Sequence, residues 1–277
     1  MHSEETFPTT SALNTRPVYK TAGPLWQGDY WFLLSSLVVK DFKIRYRNMS
    51  LGVFWSVLNP LVMMGVLTFI FGYVMPNNTI RHYPVYLMTG LVPYNFFSIA
   101  WVCGTVSLAD NAGLIKRVPV PREIVPLAAV LSNVLHLLIQ ICLLFMLVFA
   151  SGYTINRHWL WLPYIWVMEV VFLCGLSMIT AALNVYIRDM RYVIESLNTV
   201  LFWLVPIVYT VPNPPKLYAQ IDHLNPLSAL ITGMRYIIDG KAPGNELLVK
   251  LTCVALAMFG VGLLIFRNLK RRFYDYL

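Results

Sequence analysis

Charge is what this sequence lacks. Asp, Glu, Lys and Arg make up only 12% of its 277 residues, against roughly 25% in a soluble domain. That deficit excludes a chain whose whole surface faces water, and with it nucleic-acid binding, in spite of a net charge of +8. A phosphate-binding loop is missing too. The one Gly-Lys pair, Gly240-Lys241, is followed by Ala242, and Arg235 stands where the first glycine of that loop would be. ATP hydrolysis through such a loop is therefore excluded. No Asp-x-Asp pair, His-Glu-x-x-His or Gly-x-Ser-x-Gly occurs, and the acids are scattered, so the chain reads as no enzyme and holds no metal-ligand pattern. Cys103, Cys142, Cys174 and Cys253 stand singly in apolar runs and read as small core residues. The first 27 residues are polar and contain no apolar core of a cleavable leader.

What the sequence has in abundance is apolar length, with 58% of its residues hydrophobic. A helix crosses a bilayer with about 20 apolar residues. Six stretches predict spans: 51–75, 86–109, 124–151, 159–184, 196–210 and 247–266. Pro93 predicts a kink or a broken start in the second. Pro206 cuts the fifth short. The expected fold is an all-α integral membrane protein of six transmembrane helices. A polar tail (1–27) and an interfacial helix (28–50) precede the permease region (51–270), and a short tail (271–277) follows it.

Within 28–50, Trp31, Leu34, Val38 and Phe42 share one helical arc, with Lys40, Lys43 and Arg47 roughly opposite. This predicts an amphipathic helix lying on the membrane, although Leu37 and Ile44 stray from the pattern. Fifteen of the 21 Lys and Arg residues fall on the side that holds both termini. The positive-inside rule makes that side cytoplasmic, and an even number of spans agrees. The segment 211–246 carries five prolines between apolar pieces and predicts short re-entrant helices at the outer mouth, where irregular backbone must be buried or line a cavity.

Two ionisable residues, Glu169 and His136, fall within spans. They read either as a proton relay or as a hydrogen-bonded pair between neighbouring helices. The loop from Asn111 to Glu123 mixes apolar and basic residues and stops at prolines. It predicts a short surface helix that offers Leu114 and Ile115 to a partner's groove, with Lys116 and Arg117 on the rim. Phe69, Tyr73, Phe96, Phe97, Trp101, Phe202, Trp203 and Tyr209 stand in or beside spans, and such rings can stack on the apolar faces of sugars or simply pack.

Several of these segments resemble ABC export permeases of the polysaccharide branch, a family that includes exporters of O-antigen, capsule and wall teichoic acid. The resemblance rests on Arg45-Tyr46-Arg47 followed by Leu51-Gly52-Val53-Phe54-Trp55 and Asn59-Pro60, on Leu114-Ile115-Lys116-Arg117 followed by Val120-Pro121-Arg122-Glu123-Ile124-Val125-Pro126, on Arg188-Asp189-Met190-Arg191, and on Pro206-Ile207-Val208-Tyr209 with Asn225-Pro226. It covers about residues 28–270. It implies a homodimer in a bacterial inner or plasma membrane, joined to two cytoplasmic ATPase subunits that hold the ATP and Mg, while this chain binds no cofactor. The ATPase would meet Asn111, Ala112, Gly113, Leu114, Ile115, Lys116 and Arg117, and also Arg188, Asp189 and Arg191. An undecaprenyl-type lipid-linked glycan would pass between the two copies. Its pyrophosphate would be met at the entrance by Lys40, Lys43, Arg45 and Arg47, and its sugars by the aromatic residues named above. The rival readings are a same-fold exporter of a drug or simple lipid, a proton-driven transporter, and a membrane enzyme acting on a lipid-linked sugar.

Overall fold

The computed structural model describes residues 29–47, 52–74, 80, 82–117, 120–210, 215–216, 225–270 and 273. Among them there are helices and no strand. In chain order these are α1 (Tyr30–Tyr46), α2 (Trp55–Phe69), α3 (Tyr83–Asp110), α4 (Ala112–Arg117), α5 (Ile124–Ala150), α6 (Leu162–Tyr186), α7 (Met190–Leu204), α8 (Pro226–Ile238) and α9 (Asn245–Leu269). Three short turns of tighter or wider helix extend two of these helices: Gly52–Phe54 before α2, Ile70–Val74 after it, and Arg157–Trp161 before α6. Local chemistry sets several of the starts. The Asp29 carboxylate caps α1 by accepting from the Trp31 and Phe32 amides, and Asn225 caps α8, with Pro226 at its first position. Gly240, at φ 80°, ends α8 in a left-handed turn.

Among the described residues, five helices are long and apolar enough to cross a membrane, so the chain is a multi-pass membrane protein. The expected fifth span is the exception. Its helix is only 15 residues long, about 22 Å at 1.5 Å per residue, against a hydrocarbon core of about 30 Å. The cause is Pro206, which forces Val205 into an extended conformation. Pro93 acts differently from the expectation: α3 runs unbroken through it and begins three residues earlier than predicted.

The helices are arranged around α3. Two thirds of the α3 span is buried (67%), against 11% for α2. α5 and α6 flank α3, α2 and α7 lean on it from outside, and α9 lies along α6. The large core cluster joins α3, α5, α6 and α8. A second cluster, around Leu108, Ile115, Met178 and Phe266, closes the end of the bundle near α4. Glycine permits the closest approach. α6 and α9 cross backbone to backbone at Gly175 and Gly262.

The interfacial helix forms, but its faces differ from the predicted ones. Leu37, expected to stray, is its buried residue. It packs with Leu33, Leu34 and Val38 against Ile124, Ala128 and Leu114. Trp31, Phe32 and Ile44 are exposed. Apolar residues therefore surround α1, as suits a helix wedged between the bundle and lipid. The cysteines also divide: Cys174 is buried, while Cys142 and Cys253 sit on exposed faces.

Candidate functional site: a basic end, an exposed wall and a backbone clamp

The basic end is built at the joint between α3 and α4. The Asn111 carbonyl accepts from the Leu114 and Ile115 amides. Its side chain donates to the Ser107 carbonyl at 2.9 Å and accepts from Lys40 Nζ. α4 is thereby tied to α1 as well as to α3. Leu114 and Ile115, expected to enter a partner's groove, face inward instead. Ile115 is buried in the second core cluster and Leu114 is half-buried against α1. Amphipathic spacing is the cause, since a short helix resting on the bundle must turn its apolar residues toward it. Ala112 is half-buried, and Gly113, Lys116 and Arg117 form the exposed face. Arg188, Asp189 and Arg191 are exposed too. Arg191 donates from Nε to Glu195 at 2.9 Å and lies within electrostatic reach of Asp110. The two segments singled out from the sequence thus meet at one end of the bundle.

The four entrance cations separate into two kinds. Lys43 and Arg47 are exposed. Lys40 is held by Asn111 and, at 3.1 Å, by Asp41. Arg45 turns into the bundle, where it donates to Asn133 and, at 3.0 Å, to Cys103 Sγ. Beside it the Tyr46 hydroxyl lies 2.7 Å from Ser56 Oγ and 2.9 Å from His136 Nδ1. His136 Nε2 accepts from Gln140 at 2.9 Å. This polar seam ties α1 to α2, α3 and α5. His136 is thus a structural hydrogen-bonding residue and has no contact with Glu169. Glu169 sits alone among Met168, Phe172, Leu227, Leu230, Leu251 and Val254, with neither carboxylate oxygen bonded.

The expected pathway aromatics also divide. Phe69 and Tyr73 are exposed on the α2 side, their rings 6.3 Å apart and stacked. Trp203 is exposed at the end of α7. Phe202 is half-buried, edge-on to Tyr94 at 5.4 Å. Tyr209, half-buried, donates its hydroxyl to the Trp203 carbonyl at 2.6 Å. Phe96, Phe97 and Trp101 are buried inside the bundle and line no surface of this subunit. Their helix is the central one, and these three residues lie on its covered faces. The stripe Tyr192, Ser196, Thr199 and Trp203 was not foreseen. All four are exposed, at helical spacing, on one face of α7.

A third feature escaped sequence reading. Beyond Leu204 the chain is not helical, and the carbonyls of four successive residues need donors. Side chains supply all four. Arg235 donates to Pro206 O at 2.8 Å and to Ile207 O at 2.9 Å. Tyr83 donates to Val208 O at 2.7 Å and Tyr86 to Tyr209 O at 2.8 Å. The guanidinium also stacks on the Tyr86 ring, 3.5 Å from its centroid. A cation inside the otherwise apolar stretch 227–238 was the available clue. Of the expected re-entrant segment 211–246, most of the part before Asn225 lies outside the described residues.

The described residues contain no group of three or more His, Cys, Asp or Glu side chains placed to hold a metal. The family model for ABC-2 type transporters matches residues 33–238. The chain is 34% identical to the O-antigen export system permease protein RfbA of Klebsiella pneumoniae, over 89% of this chain and 96% of that one. It is 29% identical to the protein of the same name from Myxococcus xanthus, over 89% and 95%. With the polysialic acid transport protein KpsM of Escherichia coli the identity is 25%, over 85% and 92%. The chain belongs to the ABC-2 type transporter family of membrane proteins.

Proposed function

We propose that this chain is the membrane subunit of an ATP-driven exporter of a lipid-linked polysaccharide. It works as a pair of identical copies with two cytoplasmic ATPase subunits. One observation carries the reading: relatives named for O-antigen export align with it over nearly their whole length. The same end of the bundle carries α4 and most of the basic residues, which the positive-inside rule assigns to the cytoplasm. α7 and the chain after it complete a sixth crossing. The ATPase docks on the exposed face of α4, at Gly113, Lys116 and Arg117, and on Arg188, Asp189 and Arg191. Lys43 and Arg47 remain available to a pyrophosphate at the entrance.

The pathway runs between the two copies, along the faces of α2 and α7 that a single subunit leaves uncovered. Two features support this. Phe69, Tyr73 and Trp203 offer rings to sugar faces. Ser196 places a hydroxyl on an exposed face, where lipid would be a poor neighbour for it.

The test is capture of the host's ATPases by the purified chain, comparing wild type with Lys116→Glu, Arg117→Glu. Wild-type capture that the double variant loses supports the reading. No capture by either sinks it. The inward residues Leu114 and Ile115 are unsuitable probes, because charging them disrupts the core.

A further inference from the structure

α7 is held weakly along its length. Only Ile194 and Asn198 are buried in its 15 residues. Midway, Tyr94 donates to the Asn198 carbonyl, and the Asn198 amide reaches Ser98 O at 3.4 Å. The end remote from α4 is fixed differently. There Arg235, reaching across from α8, takes two successive carbonyls with the two arms of one guanidinium. It lies flat on Tyr86, whose hydroxyl takes the carbonyl of Tyr209. Tyr209 in turn donates to the carbonyl of Trp203. A continuous set of contacts therefore runs from α8 to the exposed ring that closes the α7 stripe. Among the described residues no carboxylate forms an ion pair with Arg235. Its charge is spent on backbone oxygens and a ring. Asp239 lies within electrostatic reach, yet the hydrogen bonds of the guanidinium go to backbone oxygens. Lysine fits this role less well, because its three donors radiate from one atom, whereas the planar guanidinium meets two carbonyls with separate arms and lays a face on the ring.

We propose that Arg235 is a positioning residue for export: it pins the unwound end of α7 to α3 and α8, so that the α7 wall keeps its exposed stripe turned to the pathway. The inference rests on the reading that this stripe faces the pathway. It adds that the remote end of α7 is a fixed point of the wall during transport.

Geometry supplies a direct substitute for the guanidinium. A Cβ built on Gly90 stands 3.4 Å from Ile207 Cα and 3.2 Å from Arg235 Nη2. A disulfide between Gly90→Cys and Ile207→Cys would thus tie α3 to the clamped chain where Arg235 does, within the reach such bonds need. Export is read as surface polysaccharide on intact cells, labelled with an impermeant hydrazide after periodate oxidation. ATPase capture and ATP hydrolysis are measured on the same variants. Arg235→Gln and Arg235→Lys are expected to lower export at least tenfold, with capture and hydrolysis within twofold of wild type. Adding the cysteine pair to Arg235→Gln is expected to restore export when oxidised and to lose it again on reduction.

Normal export by Arg235→Gln overturns the proposal. So does an oxidised, ATPase-bound tethered protein that does not export. Should the Arg235 variants fail to accumulate, Tyr86→Phe decides. It keeps the ring under the guanidinium and removes the hydroxyl's bonds to the carbonyls of Tyr209 and, at 3.4 Å, Pro206, and it is expected to lower export severalfold; unchanged export refutes the clamp's role. Failure of the wild type to capture an ATPase would instead strike the proposed function itself.

Discussion

Replacing Gly262 by alanine tests the packing of α9 against α6 with a single methyl group. A Cβ at this position would lie 2.8 Å from both the carbonyl carbon and the Cα of Gly175, and closer still to its oxygen. Carbon atoms rest at about 3.5–4.0 Å, so the helices must part by roughly 1 Å. Both contacting groups are backbone, and no side chain can swing away. Overpacking of this kind costs about 1–3 kcal/mol. For a chain of this size each kcal/mol moves the thermal midpoint by about 2–4 °C, which gives a drop of about 2–12 °C. Gly260→Ala is the control, on the same helix half a turn away. Nothing lies within 4 Å of a Cβ there, and alanine is the better helix former by about 1 kcal/mol. That variant should be neutral or slightly more stable. The assay is thermal unfolding of the purified protein in one detergent, followed by tryptophan fluorescence. If Gly262→Ala melts with the wild type while Gly260→Ala does so too, the backbone crossing is not as tight as described.

Three other changes probe the remaining features. Glu169→Met removes a buried carboxyl that has no partner, so it should leave export intact and stabilise the protein by about 1–3 kcal/mol; loss of export would revive the proton-driven reading. Tyr46→Phe deletes the bonds to Ser56 and His136 and should cost about 1–2 kcal/mol in thermal unfolding, whereas no change would mean the seam contributes nothing. Asp29→Ala uncaps α1, costing about 0.5–2 kcal/mol; faster hydrogen exchange at the Trp31 and Phe32 amides is the readout, and unchanged exchange would show that α1 is held without its cap.

How much of the site was legible depended on which contacts were local. The α4 helix could be read from Asn111, the apolar pair Leu114-Ile115 and the prolines beyond it. Its direction could not, because apolar residues suit a partner's groove and the protein's own core equally well. The basic residues at the entrance were equally visible, yet Arg45 and Lys40 found partners 88 and 71 positions away in sequence. No window of sequence brings such positions together. Among the aromatics, composition could not tell Phe96 from Phe69, because a ring reads the same on a central helix and on a peripheral one.

Sequence by itself determined that the chain lies in a membrane, the places of five spans to within a few residues, and the relation to polysaccharide export permeases. These rest on hydrophobic length and short motifs, which are properties of contiguous residues. The tertiary structure alone decided that α3 is the centre, that α2 and α7 are left uncovered, and that Leu37 is the buried face of α1. It also decided that Arg235 serves four carbonyls' worth of unwound chain together with Tyr83 and Tyr86. The physical reason is the same throughout. In a chain this apolar, hydrophobicity fixes which residues leave water, but not which helix they then meet. That choice falls to close packing at glycines and to the few polar groups that must find donors and acceptors away from water.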